Sequence, residues 1–144
     1  MNEGEALSGQ IGFQIQMLQS VAHESARLAL EPFDITPARA SALLMVRANP
    51  GCTQTALGEA LNVNRSSAMK IVDILEGRGA IRRAPSADPR ANALELTDEG
   101  RTLASQIDVV LERHERKFFG TLSAAERAAL LSLLQRLRQQ DRVI

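Results

Sequence analysis

Arg82-Arg83-Ala84-Pro85-Ser86-Ala87-Asp88-Pro89-Arg90-Ala91-Asn92-Ala93-Leu94-Glu95-Leu96-Thr97-Asp98-Glu99-Gly100 is the stretch whose reading decides the fold. Leu94-Glu95-Leu96 alternates as a strand does, and Asp88-Pro89-Arg90 is a turn signal between two short runs. Together they describe two strands joined by a polar tip that carries arginine. Thr97 then caps a helix whose first turn holds Asp98 and Glu99, acidic groups that favour the positive end of the helix dipole. A β-hairpin in this position, directly behind a helix-turn-helix pattern, is a wing. Its cations are placed to reach a phosphate or a minor groove while the preceding helix occupies the major groove.

The helix-turn-helix lies immediately upstream. Thr53 caps a short helix over Gln54 to Leu61, and Asn62-Val63 forms a tight turn in which Asn tolerates positive φ. Asn64 caps the next helix, which extends to Gly77 or Arg78. Leu57, Ala60 and Leu61 are expected to pack against Val63, Ala68, Val72 and Leu75. Gly79 gives the chain a flexible exit into the wing.

Helices flank this unit on both sides. From about Ser8 to Leu30, Ile11, Ile15, Leu18, Ala22 and Ala29 form one apolar row and Phe13, Met17, Val21 and Leu28 a second. Two rows imply burial on two sides, as for a helix held between its own domain and a partner subunit. Pro32 and Pro37 bracket a break, and Thr36 caps a helix from Pro37 to about Ala48. Behind the wing, Leu103, Ile107, Val110, Leu111, His114 and Phe118 follow one broad face of a helix that Gly120 stops. Ser123 and Glu126 make a capping box for a last helix with Leu130, Leu133, Leu134 and Leu137 as its stripe. The predicted fold is mainly α, with a small β-hairpin wing.

Composition narrows the function classes. A chain of 144 residues is expected to form one domain with a real core. With no Trp and no Tyr, that core is expected to be built from Ala, Leu, Ile, Val, Met and four Phe. No apolar run reaches the roughly 20 residues of a membrane span, and no signal-peptide pattern opens the sequence, so a cytoplasmic location is expected. One cysteine excludes an intramolecular disulfide. His23, His114 and Cys52 are too few and too scattered for a metal site, and no catalytic constellation or phosphate loop can be drawn. Neither an enzyme nor a cofactor is expected.

Formal charge is zero overall but unevenly spread. From Asn64 to Ala91 the cations Arg65, Lys70, Arg78, Arg82, Arg83 and Arg90 face only Asp73, Glu76 and Asp88, a local excess of three. That asymmetry suits a small DNA-contacting face on a neutral body. On the helix after Asn64, positions 65, 66, 69, 70 and 73 point away from the expected core. Arg65, Lys70, Ser66 and Ser67 can bind bases or phosphates, and Met69 can meet a thymine methyl. Arg82, Arg83 and Arg90 supply the wing, where arginine suits a narrow minor groove. Asp88 would hold an arginine or the turn in place.

The order long helix, helix, helix-turn-helix, wing, two long helices resembles the MarR family of bacterial winged-helix regulators. The residues that carry the resemblance are Pro50-Gly51-Cys52-Thr53-Gln54-Thr55-Ala56-Leu57, Val63-Asn64-Arg65-Ser66, and Asp88-Pro89-Arg90 followed by Leu96-Thr97-Asp98-Glu99-Gly100. It spans nearly the whole chain. It implies a winged helix-turn-helix lobe over 36–97 and dimerisation helices over 1–35 and 98–144, with Ile11, Ile15, Leu130, Leu133, Leu134 and Leu137 at the homodimer contact. It also implies a pseudo-palindromic double-stranded DNA operator and, commonly, repression relieved by a small aromatic or phenolic ligand. The Pro50-to-Leu57 stretch is similar to members that respond to hydroxycinnamates or their CoA thioesters. By position, the resemblance puts His23, Arg27 and Arg39 at the effector crevice. Two other readings stay open: a winged-helix protein-interaction module without DNA binding, which zero net charge allows, and a redox sensor acting through Cys52. Uncharged neighbours give that thiol no reason for a depressed pKa.

Overall fold

Side-chain caps set where the helices begin. In the computed structural model, which describes residues 4–85 and 92–140, Thr36 accepts from the Arg39 amide at 3.4 Å and opens α3 (Pro37–Ala48). Thr53 accepts from the Ala56 amide at 3.1 Å and opens α4 (Gln54–Ala60). Asn64 accepts from the Ser67 amide at 2.9 Å and opens α5 (Arg65–Gly77). Thr97 does the same for α6 (Asp98–Phe118), and the reciprocal Ser123–Glu126 box precedes α7 (Ala124–Gln140). Each cap satisfies an amide that has no partner inside its own helix.

Ahead of these, the long helix expected from about Ser8 to Leu30 is α2 (Ile11–Leu30), and a short α1 (Glu5–Ser8) precedes it. Gly9-Gln10 is the break, with Gln10 in extended conformation. A 3-10 turn over Glu31–Phe33 ends at Asp34, whose φ of 47° is left-handed, and redirects the chain into α3. Asn62 takes φ 54° in the turn between α4 and α5, as its side chain permits.

The sheet has one strand more than expected. β2 (Ile81–Pro85) and β3 (Asn92–Leu96) pair antiparallel from Ile81↔Leu96 to Pro85↔Asn92. A two-residue β1 (Cys52–Thr53) adds to the other edge of β3, giving the order β1-β3-β2. Two residues show no alternation, so this strand left no trace in the sequence pattern. Positions 86–91, with Asp88 and Arg90 among them, lie outside the described residues.

One aliphatic core joins the lobe to the flanking helices. Leu30, Leu43, Val46, Val72, Leu75, Ile81, Leu94 and Ile107 are fully buried. Leu57 and Ala68 are buried and Gly58 abuts Ala68 at the α4–α5 contact, whereas Ala60 is exposed because it lies on the outer face of α4 with Thr55, Ala56 and Glu59. Arg47 of α3 and Asp108 of α6 form a two-pronged ion pair at 2.6 and 2.9 Å across the outside of this core.

The tightest junction lies where α6 starts. The Thr97 hydroxyl donates to the Gly79 carbonyl at 2.5 Å, and the Thr97 amide donates to the Ala80 carbonyl at 3.1 Å. Any Cβ on Gly100 would sit 1.8 Å from that Ala80 oxygen. This explains physically why the Leu-Thr-x-x-Gly run ends in glycine: α6 presses its backbone against the exit of α5. Among the described residues, no helix is long and apolar enough to cross a membrane.

Candidate nucleic-acid interface and effector cleft

Helix α5 buries Ala68, Val72 and Leu75 and turns Arg65, Ser66, Met69, Lys70 and Asp73 outward. Arg65 and Lys70 make no hydrogen bond or ion pair among the described residues, so both cations are available to a ligand. Ser66 and Met69 lie exposed between them. Asn64 has its side-chain oxygen engaged in the cap, and Ser67 is half-buried, which leaves these two in supporting positions.

The wing-base arginines are held differently. Arg82 pairs across the hairpin with Glu95 at 2.7 Å and remains mostly exposed. Arg83, expected at the DNA, has its guanidinium engaged inside the chain. It donates to Asp73 at 2.6 Å, to Glu76, and to Gln54 at 3.3 Å. It therefore braces the wing against α5. Arg78 donates to the carbonyls of Phe33 at 2.5 Å and Asp34 at 2.8 Å. The local excess of positive charge is thus partly consumed by structure, and Arg65 and Lys70 carry it on the α5 surface. Asp88 and Arg90 fall outside the described residues.

Beside this face, Thr53, Gln54, Thr55, Arg65 and Asn92 line a polar cleft of about 220 Å³. Gln54, Thr55 and Asn92 were missed by sequence reasoning, because polar residues at a helix start and a strand end read as caps and turns. Cys52 is half-buried next to Leu94, and burial pushes its thiol pKa up. A raised pKa suppresses the reactive thiolate, which weighs against the redox reading.

A second cleft, of about 740 Å³, separates the end of α2 from the second half of α6. Leu28, Phe33, Val110 and Phe118 give it an apolar wall, and Arg113, His114 and Lys117 give it a basic rim. The His114 ring nitrogen lies 2.9 Å from the Ser25 hydroxyl, and the ring stacks on Phe118 with centroids 5.5 Å apart. His23, Arg27 and Arg39 do not line it. Arg27 instead pairs with Glu24 at 2.8 Å on its own helix. The available signal for the basic rim was Arg113 and Lys117 at four-residue spacing, beside a His114–Phe118 pair that reads simply as an apolar face.

The MarR family pattern matches residues 33–91, from the turn before α3 to the wing. A protein of Thauera aromatica named for transcriptional regulation of the hcr operon is 36% identical over 138 residues, which cover 94% of this chain and 83% of that one. The chain belongs to the MarR family. Among solved MarR-type structures, the transcriptional repressor CouR bound to a 23-mer DNA duplex superposes with a TM-score of 0.89 at 34% identity, covering 96% of this chain and 98% of that one. CouR bound to p-coumaroyl-CoA superposes with a TM-score of 0.84, covering 96% and 97%. This chain is therefore a MarR-family transcriptional regulator of winged-helix fold, and not an enzyme.

Proposed function

We propose that the protein is a homodimeric cytoplasmic repressor that binds a pseudo-palindromic operator and releases it when an aromatic acid, as its CoA thioester, enters the α2–α6 cleft. The observation that carries this reading is the cleft itself: an apolar slot with Phe33 and Phe118 in its wall, rimmed by Arg113, His114 and Lys117. An aryl group matches the apolar wall, and the phosphates of a CoA thioester match the rim. CouR, solved with p-coumaroyl-CoA, supports the class of ligand. The cationic effector contacts are then Arg113 and Lys117 in place of His23, Arg27 and Arg39. At the DNA, Arg65, Ser66, Met69 and Lys70 face the major groove, with Asn64 and Ser67 shaping the helix start and Arg82 and Arg90 serving the wing.

The test is calorimetry of p-coumaroyl-CoA and of free p-coumarate, with and without an operator duplex recovered by selection from random DNA. Thermodynamic reciprocity requires operator to weaken thioester binding by the factor by which thioester weakens operator binding. Arg113→Ala and Lys117→Ala should each weaken the thioester and leave p-coumarate nearly unchanged. Thioester binding that is indifferent to DNA would remove the release mechanism.

A further inference from the structure

Two tethers converge on the end of the recognition helix. One comes from α6, where the Thr97 hydroxyl holds the Gly79 carbonyl and the Thr97 amide holds the Ala80 carbonyl. The other comes from the 3-10 turn behind α2, whose Phe33 and Asp34 carbonyls both accept from the Arg78 guanidinium. Arg78 is the C-cap residue of α5, and Gly79 follows at φ 73°, a conformation suited to a pivot. The same two elements, the turn at Pro32 and Phe33 and the second half of α6, are opposite walls of the 740 Å³ cleft. Both tethers at residues 78–80 therefore come from elements that also wall the cleft.

We propose that Arg78 is a positioning residue that transmits the state of the α2–α6 cleft to the DNA-reading helix. It does so through the backbone of Phe33, whose side chain lines the cleft and whose carbonyl it holds. The guanidinium suits the role because one planar group donates to two successive carbonyls, fixing direction as well as distance. A ligand that displaces Phe33 moves these acceptors, and α5 must follow or lose both hydrogen bonds. Arg78 needs no contact with DNA to govern affinity for it. This inference rests on reading the cleft as the effector site, yet it can be tested without any effector.

Ala29 lines the cleft and is half-buried, so Ala29→Trp fills the space covalently. Operator affinity is measured for the parent, Ala29→Trp, Arg78→Met and the double variant, which closes a double-mutant cycle. The expected result is a loss of about 10-fold or more on filling the cleft when Arg78 is present, and about 2-fold or less when it is Met, within the usual range of allosteric coupling. Arg78→Lys keeps the charge but loses the planar fork, and should fall between them; it takes over if Arg78→Met loses its helical circular dichroism. Ala29→Phe takes over likewise for Ala29→Trp. Equal losses in both backgrounds would overturn the proposal, and so would a filled cleft that leaves operator affinity unchanged. Failure of p-coumaroyl-CoA to bind would strike the ligand assignment alone and leave the cycle readable.

Discussion

Arg65 and Arg83 show how two arginines of one basic segment come to do different work. Arg65 is exposed on the outer face of α5 with no ion pair among the described residues, whereas Arg83 is gripped by Asp73 and Glu76. A cation that neutralises a phosphate releases a counterion, so each such contact contributes about 0.9 to the slope of log K against log salt. Arg65→Ala is expected to flatten that slope by about this amount. Arg83→Ala should leave it unchanged while lowering stability, because two carboxylates lose their partner. A flattened slope for Arg83→Ala, from titrations at several salt concentrations, would return that residue to the DNA surface. Sequence alone could not make this distinction, since the partners Asp73 and Glu76 lie on another element and become neighbours only when β2 folds against α5. Gly100 is the opposite case, a residue whose importance was visible in a motif but whose reason was not. Alanine in a helix gains up to about 1 kcal/mol over glycine. A Cβ held 1.8 Å from the Ala80 carbonyl oxygen cannot be accommodated without moving backbone. Overpacking of this kind costs about 1–3 kcal/mol or more, so Gly100→Ala should be net destabilising. A higher urea midpoint for Gly100→Ala would contradict the close approach.

The elements most legible in the sequence were those with side-chain punctuation. Thr36, Thr53, Asn64, Thr97 and Ser123 each cap the helix expected of them. What escaped was local structure made by backbone alone: β1, which exists only because β3 offers an edge, and the short α1 ahead of the long helix. The α2–α6 cleft escaped too, because it depends on how two amphipathic helices are spaced. The fastening of α3 to α6 is also tertiary. There the Arg47 guanidinium, by hydrogen bonding and charge, holds the Asp108 carboxyl below its ordinary value. A depressed carboxyl pKa stabilises the fold above its unfolded value, near 3.8, and that contribution is lost as pH falls through the folded value. Both groups are more than a third exposed, so the pair is worth no more than about 0.5–1 kcal/mol. Asp108→Asn should lower stability by this much at neutral pH and converge with the parent in acid. Chemical denaturation at pH 7 and pH 3 checks it; a constant difference at both would mean that the ion pair contributes nothing of its own.

At the scale of the molecule, the outer helices carry more apolar surface than one copy can cover. Ile11, Val21, Leu131 and Leu133 are 74, 59, 57 and 49% exposed, on the two helices that flank the lobe in sequence. Soluble monomers rarely leave so much apolar surface open, and a second copy of the same helices is the occupant we propose. Leu133→Asp combined with Leu137→Asp would place unpaired carboxylates in that contact and should give monomers or loss of the fold in sedimentation. The arrangement of the DNA follows from the same dimer. Two copies of α5 related by a two-fold axis reach one face of a duplex only in successive major grooves, so the half-site centres should lie about 10 base pairs apart. With only Arg65 and Lys70 unpaired on each α5 among the described residues, affinity must depend on both lobes binding together. Inserting five base pairs between the half-sites rotates one of them by about half a turn, to the far side of the helix. Binding should then fall to that of a single half-site. Inserting a full turn restores the facing but stretches the span by about 34 Å, and recovery there would require lobes that swing freely. Equal affinity for the parent and five-pair spacings would show that each subunit reads DNA alone, whatever the oligomeric state.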